Sequence, residues 1–355
     1  MSTDLKPSKD IQRILISSTC RFVGDYQSGN FSISHAWPGD NGNVISRFRE
    51  GPASRSAYVL SMLTKTKRDA RSIQINFDWV GGVICSYLSL LFGKRFDTHG
   101  TIQGGGHFGL PNLSQYTQLC DSDLLQNNHL PRADISIPLN FTNVSCLEPI
   151  LKENTSPEAI AFEAAVKFYS QALQNVEKNI EVAYLNLITA GEILANQHSP
   201  QKEELLDGTI QSILRDVREY VPDGNKCANI LASQMRQIKK RFANAIEDLV
   251  DDQFFDGSEH EEKFRKMSKE SLGSRVRAAY DIRSQYVHSG VSFGRWIAPR
   301  GTPPYNEVQL GKPVLEDKRI SKLLVKAPTY VGLERIIRYC LIKFAVKHSL
   351  IVLPK

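Results

Sequence analysis

Residues 156–176 of this chain read SPEAIAFEAAVKFYSQALQNV, and this stretch decides the fold of the second half. Ser156 is a typical helix N-cap, and Pro157 suits the first position of a helix. The apolar residues that follow are spaced by four and three, which places them on one helical stripe. A second stripe begins at Ile180 and ends before Pro200. The pattern predicts two long antiparallel helices, with the stripes Phe162, Val166, Tyr169, Leu173 and Val176 and then Ile180, Tyr184, Leu187, Ile188 and Leu194.

The remainder of the second half also has helical periodicity. We expect a third helix at Gln201–Tyr220, a fourth whose apolar residues alternate by four and three, and a fifth from about Ser271 to His288. The stretch from Gly290 to about Lys326, with the core GTPPYNEVQLGKPV, is expected to be an extended loop or hairpin. A last helix is predicted from Tyr330 to about Leu350, and residues 149–355 are therefore expected to form an all-α bundle. The fourth helix has the stripe Leu231, Met235, Ile238, Phe242, Ile246 and Leu249; the last turns Leu333, Ile337, Cys340 and Phe344 inward and Arg335, Arg338, Lys343 and Lys347 elsewhere.

The first half has a different character, with short apolar runs separated by Gly, Pro, Asn and Asp. The runs Ile11–Ser17, Ser72–Trp79 and Ile135–Phe141 are typical of short strands between turns. One helix is expected at about residues 79–93. A length of 355 residues favours two domains. The predicted fold class is therefore α+β, with a β-rich domain at residues 1–148 followed by the helical bundle.

Bulk composition excludes several classes of protein. The six cysteines lie far apart, without a Cys-x-x-Cys pair, which disfavours zinc ribbons and disulfide scaffolds and suggests reduced thiols. The first residues carry no signal pattern, and the longest apolar stretch, Trp79–Phe92, is too short to span a bilayer. We therefore expect a cytoplasmic protein without membrane contact. A net charge of +6 is compatible with a polyanionic partner but is common among proteins without one.

Cofactor and metal motifs are not apparent in the sequence. The run Gly104–Gly106 lacks the lysine and the helix start that a phosphate-binding loop requires, so a flexible loop is expected there. His99 and His107 have no neighbours at metal-ligand spacing. We therefore expect no cofactor and no metal.

The stretch that carries chemistry is YDIRSQYVHSG, residues 280–290, in which Arg283 and His288 are separated by four residues. RNA contains its own nucleophile, the 2′-hydroxyl. Histidine has an unperturbed pKa of about 6.5 and can move a proton near neutral pH. Arginine stays charged and can donate two parallel hydrogen bonds to phosphate oxygens. The two together suffice for metal-free cleavage of RNA, leaving a 2′,3′-cyclic phosphate.

The spacing alone has little specificity, because about one such pair is expected by chance in a chain with this many Arg and His residues. Its context carries more weight. It is the only such pair in the chain, it lies on a predicted helix of an all-α region, and Gly290 follows where a glycine can end a helix. The alternative is structural: Arg283 would pair with Asp281 or another neighbour, and His288 would interact with the helix dipole.

With this motif, the region from Ser156 to Leu350 resembles the HEPN domains, in particular the Apea-like HEPN group of bacterial defence. The two long opening helices and Ala190–Glu192 add to the likeness, and Leu88–Phe96 resembles the N-terminal region of such proteins less specifically. The resemblance implies an endoribonuclease, with a role as toxin or effector in antiphage defence, in which Arg283 and His288 are catalytic.

In that family a polar or acidic residue on an earlier helix often orients the arginine, which makes Glu192 the candidate; Ser284 and Asp281 are further supporting candidates. Many members have Asn, Asp or His where this chain has Ser284. Toxins silenced by a nucleotidyltransferase usually carry a tyrosine at the position of Gly290, so control by such modification is disfavoured. The N-terminal domain is expected to sense a phage-derived or cellular trigger.

Two further readings stay open, a non-catalytic HEPN adaptor that binds nucleotide or RNA, and a helical protein-interaction module. A basic group on the fourth helix is either a solvated face or an RNA phosphate track. Residues five apart on a helix differ by about 140° in direction, so Arg283 and His288 do not converge unless the last turn is distorted or two chains pair. The resemblance favours a homodimer through the motif helices. The basic group consists of Arg236, Lys239, Lys240 and Arg241.

Overall fold

A computed structural model describes residues 8–36, 55–66, 77–105, 107–114, 120–152, 154–197, 208–234, 238–301 and 303–354. Its first part contains one antiparallel sheet of six strands in the order β2-β3-β4-β1-β5-β6. The coarse α+β class and its order along the chain agree with the sequence expectation. The strands are β1 (Ser8–Ser18), β2 (Tyr26–Ser28), β3 (Phe31–His35), β4 (Ser56–Thr66), β5 (Phe96–Gly104) and β6 (His107–Phe108).

One face of the sheet packs on helix α1 (Asp78–Phe92), which confirms the helix expected at 79–93. Ile14 on β1 is fully buried in this layer. A Cβ atom at Gly81 would lie 2.8 Å from the Ile14 side chain, so the helix approaches the sheet this closely because the residue is glycine. Of the strand predicted at Ser72–Trp79, residues 72–76 lie outside the described residues, Phe77 is not in a strand, and Asp78 and Trp79 belong to helix α1 instead.

The prediction of a strand at Ile135–Phe141 was wrong. Phe141 begins a 3-10 helix, Phe141–Leu147, and within the described ranges the residues before it have no strand partner beyond one bridge between Val23 and Asn140. The Asn140 side chain accepts a hydrogen bond from the Thr142 N–H and caps the helix. A local cap of this kind competes with strand pairing, and apolar content alone does not reveal it.

Most of the helices follow residue 148, as expected. The two opening helices are confirmed, and the Ser156 hydroxyl caps the first by accepting a hydrogen bond from the Ala159 N–H at 3.2 Å. The motif helix and the last helix are confirmed as well. The helices are α2 (Glu148–Leu151), α3 (Pro157–Asn175), α4 (Ile180–Gln197), α5 (Gly208–Tyr220), α6 (Gly224–Gln234), α7 (Ile238–Leu249), α8 (Asp252–Asp256), α9 (Lys269–Ser289), α10 (Gly294–Ile297), α11 (Lys318–Lys326) and α12 (Tyr330–Lys347), with a 3-10 turn at Lys263–Arg265.

Two helical predictions need correction. The expected fourth helix is described in two parts, α6 and α7, with Met235 and residues 236–237 outside the described residues, and Leu231 on α6 is exposed rather than in the core. The stretch Gly290–Lys326 is not a loop throughout, because it contains α10 and α11. Asp317 begins α11 by accepting hydrogen bonds from the backbone N–H groups of Arg319 and Ile320. In the GTPPYNEVQLGKPV core, the described residues form no helix, as predicted.

The last helix, α12, is the centre of the structure, and two of its arginines were misplaced by the periodicity argument. Arg335 and Arg338 are buried, 1% and 0% exposed, because α12 has neighbours on several sides and not only along one stripe. Arg338 donates hydrogen bonds to the carbonyls of Leu90 and Leu91 at 3.0 and 2.7 Å, satisfying the free carbonyl end of α1.

Buried ion pairs join the two halves of the chain. Arg338 pairs with Asp134, and Arg132 donates two hydrogen bonds to Glu334 at 2.8 and 2.7 Å. The buried apolar residues before and after residue 148 also form one continuous cluster. The division into domains at residue 148 stays a prediction. Among the described helices, none combines the length and the apolar character needed to cross a membrane.

Candidate catalytic site around Arg283

The motif helix α9 ends where the sequence predicts. Gly290 adopts a left-handed conformation, φ +68°, and its N–H donates to the Tyr286 carbonyl at 2.9 Å. Glycine tolerates this conformation at little cost, so the helix ends at Ser289. His288 therefore lies in the last helical turn, and its side chain is exposed.

Arg283 faces the neighbouring helix α4 and meets Glu192 there. The Arg283 Nη2 atom lies 3.6 Å from the Glu192 carboxylate, and the two side chains are 26% and 18% exposed. The Arg283 guanidinium also lies over the ring of Tyr280, 5.7 Å from its centroid. The side chain predicted to orient the arginine is thus the one beside it in the fold.

Tyr280 interacts with both charged side chains, those of Glu192 and Arg283. Burial raises the pKa of Tyr280, and the charge of Glu192 and a hydrogen bond to it add to this, while Arg283 and Arg241 act in the opposite direction. The phenol therefore stays protonated at neutral pH. Glu192, Tyr280 and Arg283 form one partly exposed polar cluster between α4 and α9.

Helix α7 adds two of the predicted cations to this region. Lys239 pairs with Asp281 at 2.6 Å, so Asp281 does not serve Arg283. Arg241 is close enough to influence Tyr280, and its Nε atom is buried without a hydrogen-bond partner among the described residues. Lys240 is half-buried on the same helix. Arg236, the fourth member of the predicted basic group, lies outside the described residues.

Arg283 and His288 do not meet within one chain. The helix remains α-helical through Ser289, so distortion of the last turn is not the device that unites them. Five residues of regular helix separate two side chains by about 7.5 Å along the axis and about 140° around it. Arg283 turns toward α4, Ser284 is half-buried, and His288 projects into solvent.

Glu181, at the start of α4, holds the segment that follows the motif, and the sequence alone does not single it out. Its carboxylate accepts hydrogen bonds from the Ser292 hydroxyl at 2.6 Å and from the N–H groups of Phe293 and Gly294 at 2.6 and 2.8 Å. Burial raises the pKa of Glu181, but these hydrogen bonds outweigh it and hold the pKa below its ordinary value. The Phe293 ring then packs edge-on against Tyr286, with 5.5 Å between centroids.

Among the described residues, no group of three or more His, Cys, Asp or Glu side chains is arranged to hold a metal ion. His99 is instead engaged with the Ser17 hydroxyl at 2.7 Å and the Asn112 carbonyl at 2.6 Å. Burial lowers the pKa of His99 below its ordinary value. His107 lies exposed on the short edge strand β6.

Comparisons of the chain with protein-family models, with curated proteins and with solved structures find no match.

Proposed function

We propose that this protein is a metal-independent endoribonuclease of the HEPN type, with Arg283 and His288 as its catalytic residues. The observation that carries the proposal is the contact between Arg283 and Glu192. A carboxylate at one edge of a guanidinium limits its rotation and leaves its other N–H groups available to phosphate oxygens. A partly exposed, restrained arginine is what stabilisation of a phosphorane-like transition state requires.

In the proposed reaction, the ribose 2′-oxygen attacks the adjacent phosphorus and loses its proton, and the bond from phosphorus to the 5′-oxygen breaks. A proton is delivered to the departing 5′-oxygen, so the products are a 2′,3′-cyclic phosphate and a 5′-hydroxyl. His288 moves these protons, and Arg283 neutralises the charge that develops on the phosphate oxygens. Glu192 acts through Arg283 and is a positioning residue.

The active unit is proposed to be a homodimer. Because α9 is regular and directs Arg283 and His288 apart, one chain cannot place both on one phosphate without a large rearrangement. A two-fold axis between motif helices would bring the Arg283 of one chain toward the His288 of its partner. Val287, beside His288, is 51% exposed, which leaves apolar surface at this end of the helix for such an interface.

The biological setting of the proposal is cytoplasmic antiphage defence, in which a trigger sensed by the N-terminal part releases cleavage of RNA. The support is the resemblance of the motif and its helices to defence-associated HEPN proteins. The buried ion pairs of Arg132 and Arg338 give a physical route by which the N-terminal part would influence α12 and the helices around it.

The test is incubation of the purified full chain with total cellular RNA in excess EDTA, followed by analysis of the new RNA ends. We expect cleavage that leaves 2′,3′-cyclic phosphate and 5′-hydroxyl ends. Dependence on added Mg²⁺ would contradict the metal-free mechanism. Binding of RNA without any cleavage would favour the adaptor reading instead.

A further inference from the structure

Trp296 stands out because two cations flank its ring. It lies on the short helix α10 and is half-buried. The guanidinium carbon of Arg295 is 4.9 Å from the indole centroid, and that of Arg300 is 5.6 Å away. Neither arginine forms an ion pair within the described part of the chain, and both side chains are exposed. An aromatic ring beside unneutralised guanidinium groups is suited to a base with its phosphate.

A cavity opens beside this ring. It has a volume of about 440 Å³ and is lined by Trp296, Arg300, Gln309 and Lys312 among others. That volume lies in the range of small-ligand pockets, about 300–1,000 Å³. Val314, also in its lining, is 93% exposed and adds apolar surface at the rim. A flat apolar group can enter this cavity while its charged substituents stay among the cations.

The cationic surface continues onto α11. A second, smaller cavity is lined by Lys312, Lys322 and Lys326, and Lys312 borders both cavities. We call the surface formed by Trp296, Arg300, Lys312, Lys322 and Lys326 the Trp296 surface. Among the described residues from 291 to 326, seven Lys and Arg side chains are exposed but only two carboxylates are, those of Glu316 and Asp317. Such an excess of positive charge attracts a polyanion.

The Trp296 surface borders the motif helix at two places. Arg275 on α9 donates a hydrogen bond to the Lys326 carbonyl at 3.2 Å. Phe293, three residues before Trp296, packs on Tyr286, which lies two residues before His288. The segment that carries the Trp296 surface is therefore joined to the motif helix at Arg275 and at Tyr286.

We propose that the Trp296 surface is a binding subsite for single-stranded RNA, in which an unpaired base stacks on Trp296 and the following phosphates lie along Lys312, Lys322 and Lys326. The ligand class rests on the proposed function, but binding does not require cleavage. Bases of duplex RNA are paired and stacked, so a subsite of this kind selects unpaired nucleotides. A continuous row of lysines beyond the cavity favours a strand over a free nucleotide.

The test uses the full chain with His288→Ala, which should leave RNA uncut, and with Trp37→Phe and Trp79→Phe, so that Trp296 is the only tryptophan. Titration with a short oligouridylate should quench its fluorescence, while an RNA duplex should bind more weakly. Lys322→Gln with Lys326→Gln should weaken binding about tenfold and reduce the slope of log K against log salt by about 0.7 per lysine. Trp296→Leu should weaken binding of labelled oligouridylate roughly tenfold.

The matched control is Lys152→Gln with Lys347→Gln, two exposed lysines outside the Trp296 surface, which should leave binding unchanged. If Trp296→Leu fails to fold, the exposed pair Arg300→Ala and Lys312→Gln provides the same test. Uridine monophosphate binding as tightly as the oligomer, or tighter binding to phosphatidylserine vesicles, would overturn the strand proposal. If the parent chain cleaves RNA and the Trp296 surface variants bind and cleave RNA equally well, the subsite proposal is overturned and the proposed function stands. If the parent chain binds the oligomer at the Trp296 surface but does not cleave RNA, the proposed function is overturned and the subsite proposal stands.

Discussion

The Arg283 guanidinium and the Glu192 carboxylate lie 3.6 Å apart across the contact between α9 and α4. The helix α9 also carries a second pair of the same kind, Arg277 with Glu247 on α7 at 3.4 Å. The two pairs differ in exposure, 26% and 18% for the first and 43% and 38% for the second. The pair in the candidate site is thus the more buried one, and the more exposed Arg277–Glu247 pair, which is hydrogen-bonded, offers an internal control.

Glu192→Gln should reduce RNA cleavage roughly tenfold, because loss of the carboxylate charge weakens the restraint on Arg283 by about 1.4 kcal/mol. The loss should appear in kcat with little change in KM, since a positioning residue acts on the transition state. Glu247→Gln should leave both constants unchanged. Equal effects of the two substitutions would show that Glu192 is an ordinary surface partner.

His288→Ala should abolish cleavage while leaving the protein folded, because the exposed side chain contributes little to the core. The measurements are the cleavage assay and the midpoint of urea unfolding. His348→Ala is the matched control, since His348 is also an exposed histidine at the end of a helix. Aggregation of the His288→Ala protein would make the residue structural.

A chain with Arg283→Ala mixed with a chain with His288→Ala should regain part of the activity if each site takes residues from both protomers. Subunit exchange in the mixture would form heterodimers in which one of two sites has both residues intact. The measurement is the cleavage rate of the mixture against that of each variant alone. A protein that stays monomeric and fully active at nanomolar concentration would rule the dimer out.

Arg338→Met should destabilise the protein by about 3–5 kcal/mol, because it leaves Asp134 buried without its partner. Arg338, together with Arg132, also holds the pKa of Asp134 below its ordinary value against the effect of burial. Lys343→Met on the same helix is the control; its pair with Asp251 is partly exposed and should contribute no more than about 1 kcal/mol. Equal unfolding midpoints for the two variants would contradict this account of the buried pair.

Glu181→Gln should lower stability near neutral pH by about 1 kcal/mol, allowing for screening by solvent. The depressed pKa of Glu181 means that its stabilisation is complete above the ordinary value of 4.5 and is lost as the pH falls through the folded-state pKa. The difference in unfolding free energy between the variant and the parent should therefore shrink as acid is added. A difference that does not depend on pH would assign the effect to packing.

Local patterns determined much of the fold. The cap at Ser156, the stripes of α3 and α4, and the stop at Gly290 depend on residues within one or two turns of each other, which the sequence displays directly. The same limit explains the failures. The strand predicted at Ile135–Phe141 does not form, and Asn140 instead caps a 3-10 helix there. Helix α11 was missed because the Gly and Pro residues of the segment around it predicted a loop.

The sequence by itself determined the candidate residues Arg283, His288 and Glu192 and the position of the helix end beside them. Only the tertiary structure decided that Glu192 reaches Arg283, that Asp281 belongs to Lys239, and that Arg335 and Arg338 lie in the core. The periodicity of apolar residues shows which face of a helix is apolar. It does not show that an arginine is buried, because that requires carboxylate and carbonyl partners from positions far away in the sequence, such as Asp134 and Leu90. Those long-range pairings form only when the chain is folded, because burial of a charge is favourable only beside its partner.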